Sequence, residues 1–217
     1  MRIQSKLAVL AVVVFMAVLG ALLLTAGRDT PSRTADGAGA ADLTVREDSR
    51  ILGKKGSSDV VLAEFLDFEC EACGAAYPVV EDLREKYDGR VTFVARYFPL
   101  PGHFNAERAA RAVESAARQG KLEQMYRLMY ETQTSWGEKQ EPADDTFRKF
   151  AVQLKLDMDR YDVDYASPEV AARVQRDVDD GLALGVQGTP TFFLNGERFE
   201  PAAVEDFSTA IDEALAE

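Results

Sequence analysis

The sequence predicts an α/β domain with a helical block inserted between two strand-bearing halves. Three observations carry this. A continuous apolar run, Val60 to Leu66, is followed within about forty residues by a helical stretch and a second strand-like run, Val91 to Phe98. About ninety residues dominated by helical spacing come next. Strand patterning then returns at Thr191-Phe192-Phe193-Leu194.

Ahead of the domain, Leu7 to Ala26 is an uncharged apolar run of twenty residues, long enough as a helix to span about 30 Å of hydrocarbon. Residues 1–6 read as a short cytoplasmic tail carrying Arg2 and Lys6, and 7–26 as a transmembrane signal anchor rather than a cleaved signal peptide. The run exceeds the ~7–15 residues of a signal-peptide apolar region, and Thr25-Ala26-Gly27 makes a poor cleavage site. Arg28 and Arg33 follow the span closely, so the positive charges nearly balance. The short basic tail nevertheless has the layout of an export signal, which puts the rest of the chain outside the cytoplasm. Residues 27–41, rich in Gly, Ala, Ser and Thr, form a flexible linker, and the domain is expected over 42–217.

Within the domain, Val60 to Leu66 suits a strand buried on both faces, and Cys70 to Tyr87 a helix ending at the turn Asp88-Gly89. Ala109, Ala112, Val113, Ala116 and Ala117 make a small-residue helical stripe capped by Gly120. Leu122, Met125, Leu128 and Met129 continue at helical spacing, as do Phe147, Phe150 and Leu154. Ser167-Pro168 opens a helix whose buried stripe is expected to be Val170, Val174, Val178 and Leu182. Asn195-Gly196 signals a hairpin leading to Arg198-Phe199, and a last helix should face Val204, Phe207, Ile211 and Leu215 inward.

The whole chain carries 25 basic and 37 acidic residues, a formal charge of −12, which argues against a nucleic-acid partner. Without residues 1–27 the balance is 23 to 37, or −14. Two cysteines cannot staple a disulfide scaffold, and with a single histidine, His103, they make a poor zinc site. Their spacing, Cys70-Glu71-Ala72-Cys73 at a helix start, instead suits a redox pair. A structural disulfide closing so short a loop would stabilise little. Unpaired amides and the helix dipole favour a thiolate there, and a stabilised thiolate leaves readily in disulfide exchange.

Phe68-Glu69-Cys70-Glu71-Ala72-Cys73, with Gly188-Thr189-Pro190-Thr191 far downstream, resembles the DsbA-like branch of the thioredoxin superfamily over nearly all of 42–217. The resemblance implies a thioredoxin-like fold with a helical insertion over about 99–187. It implies Cys70 as nucleophile, Cys73 as resolving thiol, and a substrate surface of Thr189, a cis Pro190, Glu71 and Ala72. Glu64, six residues before Cys70, falls where the superfamily often keeps a buried acid, a plausible proton acceptor for Cys73. Pro78 falls where many members kink the active-site helix, and His103 reads as a loop residue. No bound cofactor is expected, because the Cys70–Cys73 disulfide is the redox centre. The partners implied are unfolded exported proteins bearing cysteines and a quinone-linked membrane reoxidant of the DsbB or VKOR type. The reading is therefore a membrane-anchored, extracytoplasmic dithiol oxidase. A reductase or isomerase of the same fold is the near alternative, and a redox-inactive chaperone-like module the distant one. No dimerisation domain is found, which favours oxidation and a monomer. Glu69 and Glu71 beside the pair oppose a thiolate and are expected to make the oxidant milder than one with histidine between its cysteines.

Overall fold

The computed structural model describes residue 39 and residues 43–217. The expected tail 1–6, anchor 7–26, Asp42 and, apart from Gly39, the linker 27–41 lie outside the described residues. No helix among the described residues is long and apolar enough to cross a membrane.

Five strands form one sheet in the order β1-β3-β2-β4-β5: β1 Arg50–Ile51, β2 Val61–Leu66, β3 Thr92–Tyr97, β4 Thr191–Leu194 and β5 Glu197–Phe199. β2 sits at the centre, which is why its apolar run does not alternate. It pairs in parallel with β3, Val61 opposite Thr92 and Leu66 opposite Tyr97, across helix α1, Glu71–Lys86. It pairs antiparallel with β4, Leu62 opposite Leu194 and Phe65 opposite Thr191. This register brings the start of β4 to the end of β2, the same end from which α1 departs. The hairpin to β5 turns on Asn195 and Gly196, both at positive φ (51° and 85°). β1, antiparallel to β3, has no sequence signal because two residues leave no periodicity to read.

Between β3 and β4 lie α2 Ala106–Ala117, α3 Leu122–Trp136, α4 Asp144–Gln153, α5 Met158–Ala166 and α6 Pro168–Ala183, and α7 Val204–Ala214 closes the chain. Of the small-residue stripe of α2, Ala109, Ala112, Val113 and Ala116 are buried as expected and Ala117 is half-buried, while Met125, Met129 and Phe147 are buried. Two expected stripes need correction. Val170 and Val174 are buried as expected, but Leu182 is 60% exposed, and α6 also turns Arg173, Asp177, Asp180 and Gly181 inward. Gly181 lets the helix approach the sheet, since a Cβ there would meet Phe98 at 2.7 Å. Val204 is 55% exposed, while Phe207 and Ile211 of α7 are buried.

The polar face of α6 is explained by Arg96 of β3, which is fully buried. Its guanidinium donates to Asp177 Oδ1 at 2.6 Å and Asp180 Oδ2 at 2.5 Å. It also donates to the carbonyls of Leu43 and Thr44 at 2.6 and 2.7 Å, so it ties the start of the domain to its sheet. Arg46 from the rim pairs with Asp180, and the buried Arg173 with Asp177. Replacing one member of such a cluster strands charges away from water, which outweighs the loss of the pair itself. Arg96→Ala is therefore expected to lower the free energy of unfolding by about 3–5 kcal/mol in urea titration. A loss below ~1 kcal/mol, as at an exposed pair, would contradict this.

Candidate active site

The residue preceding α1 is Cys70, in extended conformation (φ −69°, ψ 122°), and Cys73 lies one turn in. Both are free thiols; Cys70 is 7% exposed and Cys73 fully buried. Across from them the Thr189–Pro190 peptide is cis, and the Cys70 thiol donates to the carbonyl oxygen of Thr189 at 3.3 Å.

The environment drives the two thiols apart. A hydrogen bond from the Cys73 thiol does most to hold Cys70 down, to about 5. Burial opposes this, and the Thr189 side chain and the amides of Cys73 and Ala72 add to it. Cys73 is pushed far above the ordinary thiol range by burial first, then by Cys70 and Glu64. In the dithiol form the pair therefore holds one thiolate, outermost, and one thiol behind it.

Glu64 lies mid-β2, opposite Ala95 and Phe192, and is 95% buried by its 5% exposure. Its Oε2 has no hydrogen-bond partner. Burial, with a smaller contribution from Cys70, pushes its carboxyl up to about 8. Glu71 and Ala72 are exposed on the first turn of α1. Pro78 lies inside that helix.

Sequence reasoning missed the residues that hold the active-site turn in place. Asp67 Oδ1 accepts from the Glu69 amide at 2.8 Å, and Oδ2 accepts from the Leu100 amide at 2.9 Å. Oδ2 also lies 2.6 Å from His103 Nδ1. His103 is a loop residue, as expected, yet it lies close enough to sense Cys70. Burial lowers its pKa, but Asp67, Cys70 and Glu138 more than reverse this and leave it raised. Gln133 of α3 donates from Nε2 to the carbonyls of Phe68 and Cys70, both at 2.8 Å. Gly74 makes room for it, since a Cβ there would fall 2.2 Å from Gln133 Oε1. Only Asp67 had a readable signal, an acid two residues before an amide it could accept from at a strand end.

The Glu69 carboxyl is buried and accepts from the amides of Asn105 at 2.5 Å and Glu138 at 3.1 Å. Glu71 remains as the exposed carboxylate beside the pair.

Two hollows flank the site and share Phe192 and Pro201. One, of about 340 Å³, runs from Pro190 to Phe199. The other, of about 370 Å³, is walled by Ala76 and Val79 of α1 and Val204 and Phe207 of α7. The exposure of Val204 follows from its place on this wall. Among the described residues no group of three or more His, Cys, Asp or Glu is arranged to hold a metal ion.

A Cys-X-X-Cys pair on the first turn of a helix, split into thiolate and thiol and faced by a proline loop, defines a thiol–disulfide oxidoreductase. The thioredoxin family profile matches residues 46–213, and the chain belongs to that family, with the fold of its DsbA-like branch. A thioredoxin-like oxidoreductase from Silicibacter pomeroyi superposes with a TM-score of 0.66 at 26% identity, covering 81% of this chain and 98% of that one. The thiol-disulfide exchange protein alpha-DsbA2 from Wolbachia pipientis gives 0.69 at 19%, covering 82% and 92%, a likeness of fold alone. Among curated proteins, Na(+)/H(+) antiporter NhaA 3 of Salinispora tropica is 39% identical over 159 residues. That match covers 72% of this chain and 23% of the antiporter, so the chain spans about a quarter of the length of that relative.

Proposed function

We propose that the domain is an extracytoplasmic dithiol oxidase that passes its Cys70–Cys73 disulfide to unfolded exported chains, held at the membrane by residues 7–26. The observation that carries this is the place of Cys70 at the start of α1, facing the cis Thr189–Pro190 peptide, where Cys73 and the first-turn amides hold its pKa down to about 5. A stabilised thiolate stabilises the reduced protein and so makes the disulfide the more eager oxidant. The reaction needs no bound cofactor. A substrate thiolate attacks Cys70 Sγ, the sulfur–sulfur bond breaks, and its electron pair leaves on Cys73, which takes up a proton. A second substrate thiolate then attacks the substrate sulfur of the mixed disulfide and expels Cys70 as thiolate. The substrate is oxidised by two electrons, and the protein is left as Cys70 thiolate and Cys73 thiol. A quinone-linked membrane partner of the DsbB or VKOR type would take those electrons on.

The paired hollows support a polypeptide substrate. An extended chain can lie against the Thr189 backbone and Pro190, beside exposed Glu71 and Ala72, while apolar side chains enter the space around Phe192 and Pro201.

The equilibrium potential against glutathione tests the direction. A nucleophile near 5 lies between the ~7 of thioredoxin and ~3.5 of DsbA, whose potentials are about −270 and −120 mV. The expected value is about −180 mV, a milder oxidant than DsbA. A value at or below about −230 mV would favour a reductase and overturn the proposal.

A further inference from the structure

We propose that Gln133, carried by the inserted helix α3, is a positioning residue for disulfide exchange: its side-chain amide bridges the Phe68 and Cys70 carbonyls and so aims the first-turn amides of α1 at Cys70 Sγ. This deepens the oxidoreductase reading above and rests on it.

The bridge starts from the backbone around Cys70. Its amide donates to the Asp67 carbonyl at 3.2 Å and closes a tight turn, while its carbonyl accepts from the Gly74 amide at 3.0 Å and opens α1. The Phe68 carbonyl sits inside that turn, where neither bond uses it. Gln133 Nε2 reaches both the Phe68 and the Cys70 carbonyl at 2.8 Å. Two acceptors converging on one point require a single nitrogen with two N–H groups. Among uncharged side chains only Asn and Gln carry one, and a lysine or arginine would bring a charge into a buried place. Gln133 itself is 8% exposed.

A second observation comes from the other side of the same amide. A Cβ on Gly74 would stand 2.2 Å from Gln133 Oε1. Gly74 lies within α1, where glycine is disfavoured against alanine. Its place there is explained by the room it leaves for the Gln133 amide.

The consequence for the chemistry runs through the start of α1. Cys70 Sγ draws on the amides of Ala72 and Cys73, which belong to the donors that a helix start leaves without intrahelical partners. Such dipoles stabilise a charge well only when they already face it and need not reorganise. Cys70 is the joint between turn and helix, and Gln133 fixes a carbonyl on each side of it. When a substrate thiolate expels Cys70 from the mixed disulfide, the electron pair of the broken bond comes to rest on Sγ, in front of those amides. The inserted block thus governs the reactivity of a cysteine it does not carry.

The test is the ionisation of Cys70 in the reduced full chain, followed by thiolate absorbance between about pH 3 and 8. The proteins compared are the unaltered one, Gln133→Met, Gly74→Ala and Phe147→Leu. Met keeps the length of the side chain and removes both donors, and Ala at position 74 pushes the amide aside while favouring the helix. Each should raise the Cys70 pKa from about 5 by about half to one unit, a change of about three- to tenfold, the size of the hydrogen bonds lost. The equilibrium with glutathione at neutral pH should shift by the same factor toward the protein disulfide. Phe147→Leu loosens the packing of α4 on Trp136 of α3 and should lower the melting temperature without moving Cys70. A Cys70 left unchanged by Gln133→Met and Gly74→Ala overturns the proposal. So does an equal rise in Phe147→Leu, since any loosening of α3 would then suffice. If Gln133→Met does not fold, Gly74→Ala decides alone, an unchanged Cys70 there overturning the proposal. An unaltered protein whose disulfide fails to exchange with glutathione would instead sink the oxidoreductase reading.

Discussion

Reduced protein mixed with a small aromatic disulfide is expected to react at one cysteine only, Cys70, and at a rate nearly flat above pH 6, where that of an ordinary thiol climbs. With a pKa of about 5, Cys70 is nine-tenths thiolate at pH 6, where an ordinary cysteine is about 0.3% ionised. That is an advantage of about 300-fold in reactive form. Nucleophilicity falls with basicity, and over 3.5 units this takes back about 40-fold. The net expectation is a rate about eightfold above an unstructured cysteine at pH 6 and about 30-fold below it at pH 9. Cys70→Ser should remove the reaction throughout, since Cys73 keeps its proton and is fully buried. Cys73→Ala should instead stop at a stable mixed disulfide between Cys70 and half of the aromatic reagent, because the neighbouring thiol that would displace it is gone. A rate that climbs steadily to pH 9 would show that Cys70 behaves as an ordinary thiol.

The second large effect is on the potential itself. Reduction of an ordinary disulfide takes up two protons with two electrons, so the potential falls by about 60 mV per pH unit. Here only Cys73 takes a proton once the pH exceeds about 5, because Cys70 stays a thiolate. The slope should therefore halve, to about 30 mV per unit between pH 5.5 and 7.5, and steepen to about 60 below pH 5. Stability follows with a defined sign. The folded thiol is lower than the ~8.5 of an unfolded one, so thiolate formation stabilises the reduced fold fully above about pH 8.5. This stabilisation declines as pH falls and is gone below about 5; the oxidised fold has no such dependence. Denaturation of the two forms across pH should show the reduced form's advantage shrinking toward acid. A constant slope of about 60 mV from pH 4 to 8 would contradict the assignment of Cys70 as the thiolate.

Local pattern revealed those parts of the fold that have a period of their own. The strand at Val60 to Leu66, the helix after Cys70 and the hairpin at Asn195-Gly196 each carry a signal within a few residues. The inward face of α6 was hidden for a physical reason. Arg173, Asp177 and Asp180 at helical spacing look like a solvated salt-bridge face, and only the buried Arg96 of a distant strand turns them inward. The site divides in the same way. Cys70, Cys73, Glu64, Thr189 and Pro190 stand in motifs at fixed spacing. Asp67 belongs to the turn itself, whereas His103 and Gln133 reach it from two distant stretches and become neighbours only through tertiary packing.

The sheet's margins bear on how such a domain survives its own substrates. β1 is two residues long and β5 three, with Glu197 and Arg198 exposed on the latter. Long bare edges recruit extended chains into runaway strand pairing, and short charged ones refuse them. A protein acting on unfolded polypeptides, as proposed above, would meet that hazard at every encounter. With both margins cut short, a chain brought to the proposed site would find its backbone partner at Thr189, beside Cys70, where contact would end in chemistry rather than aggregation.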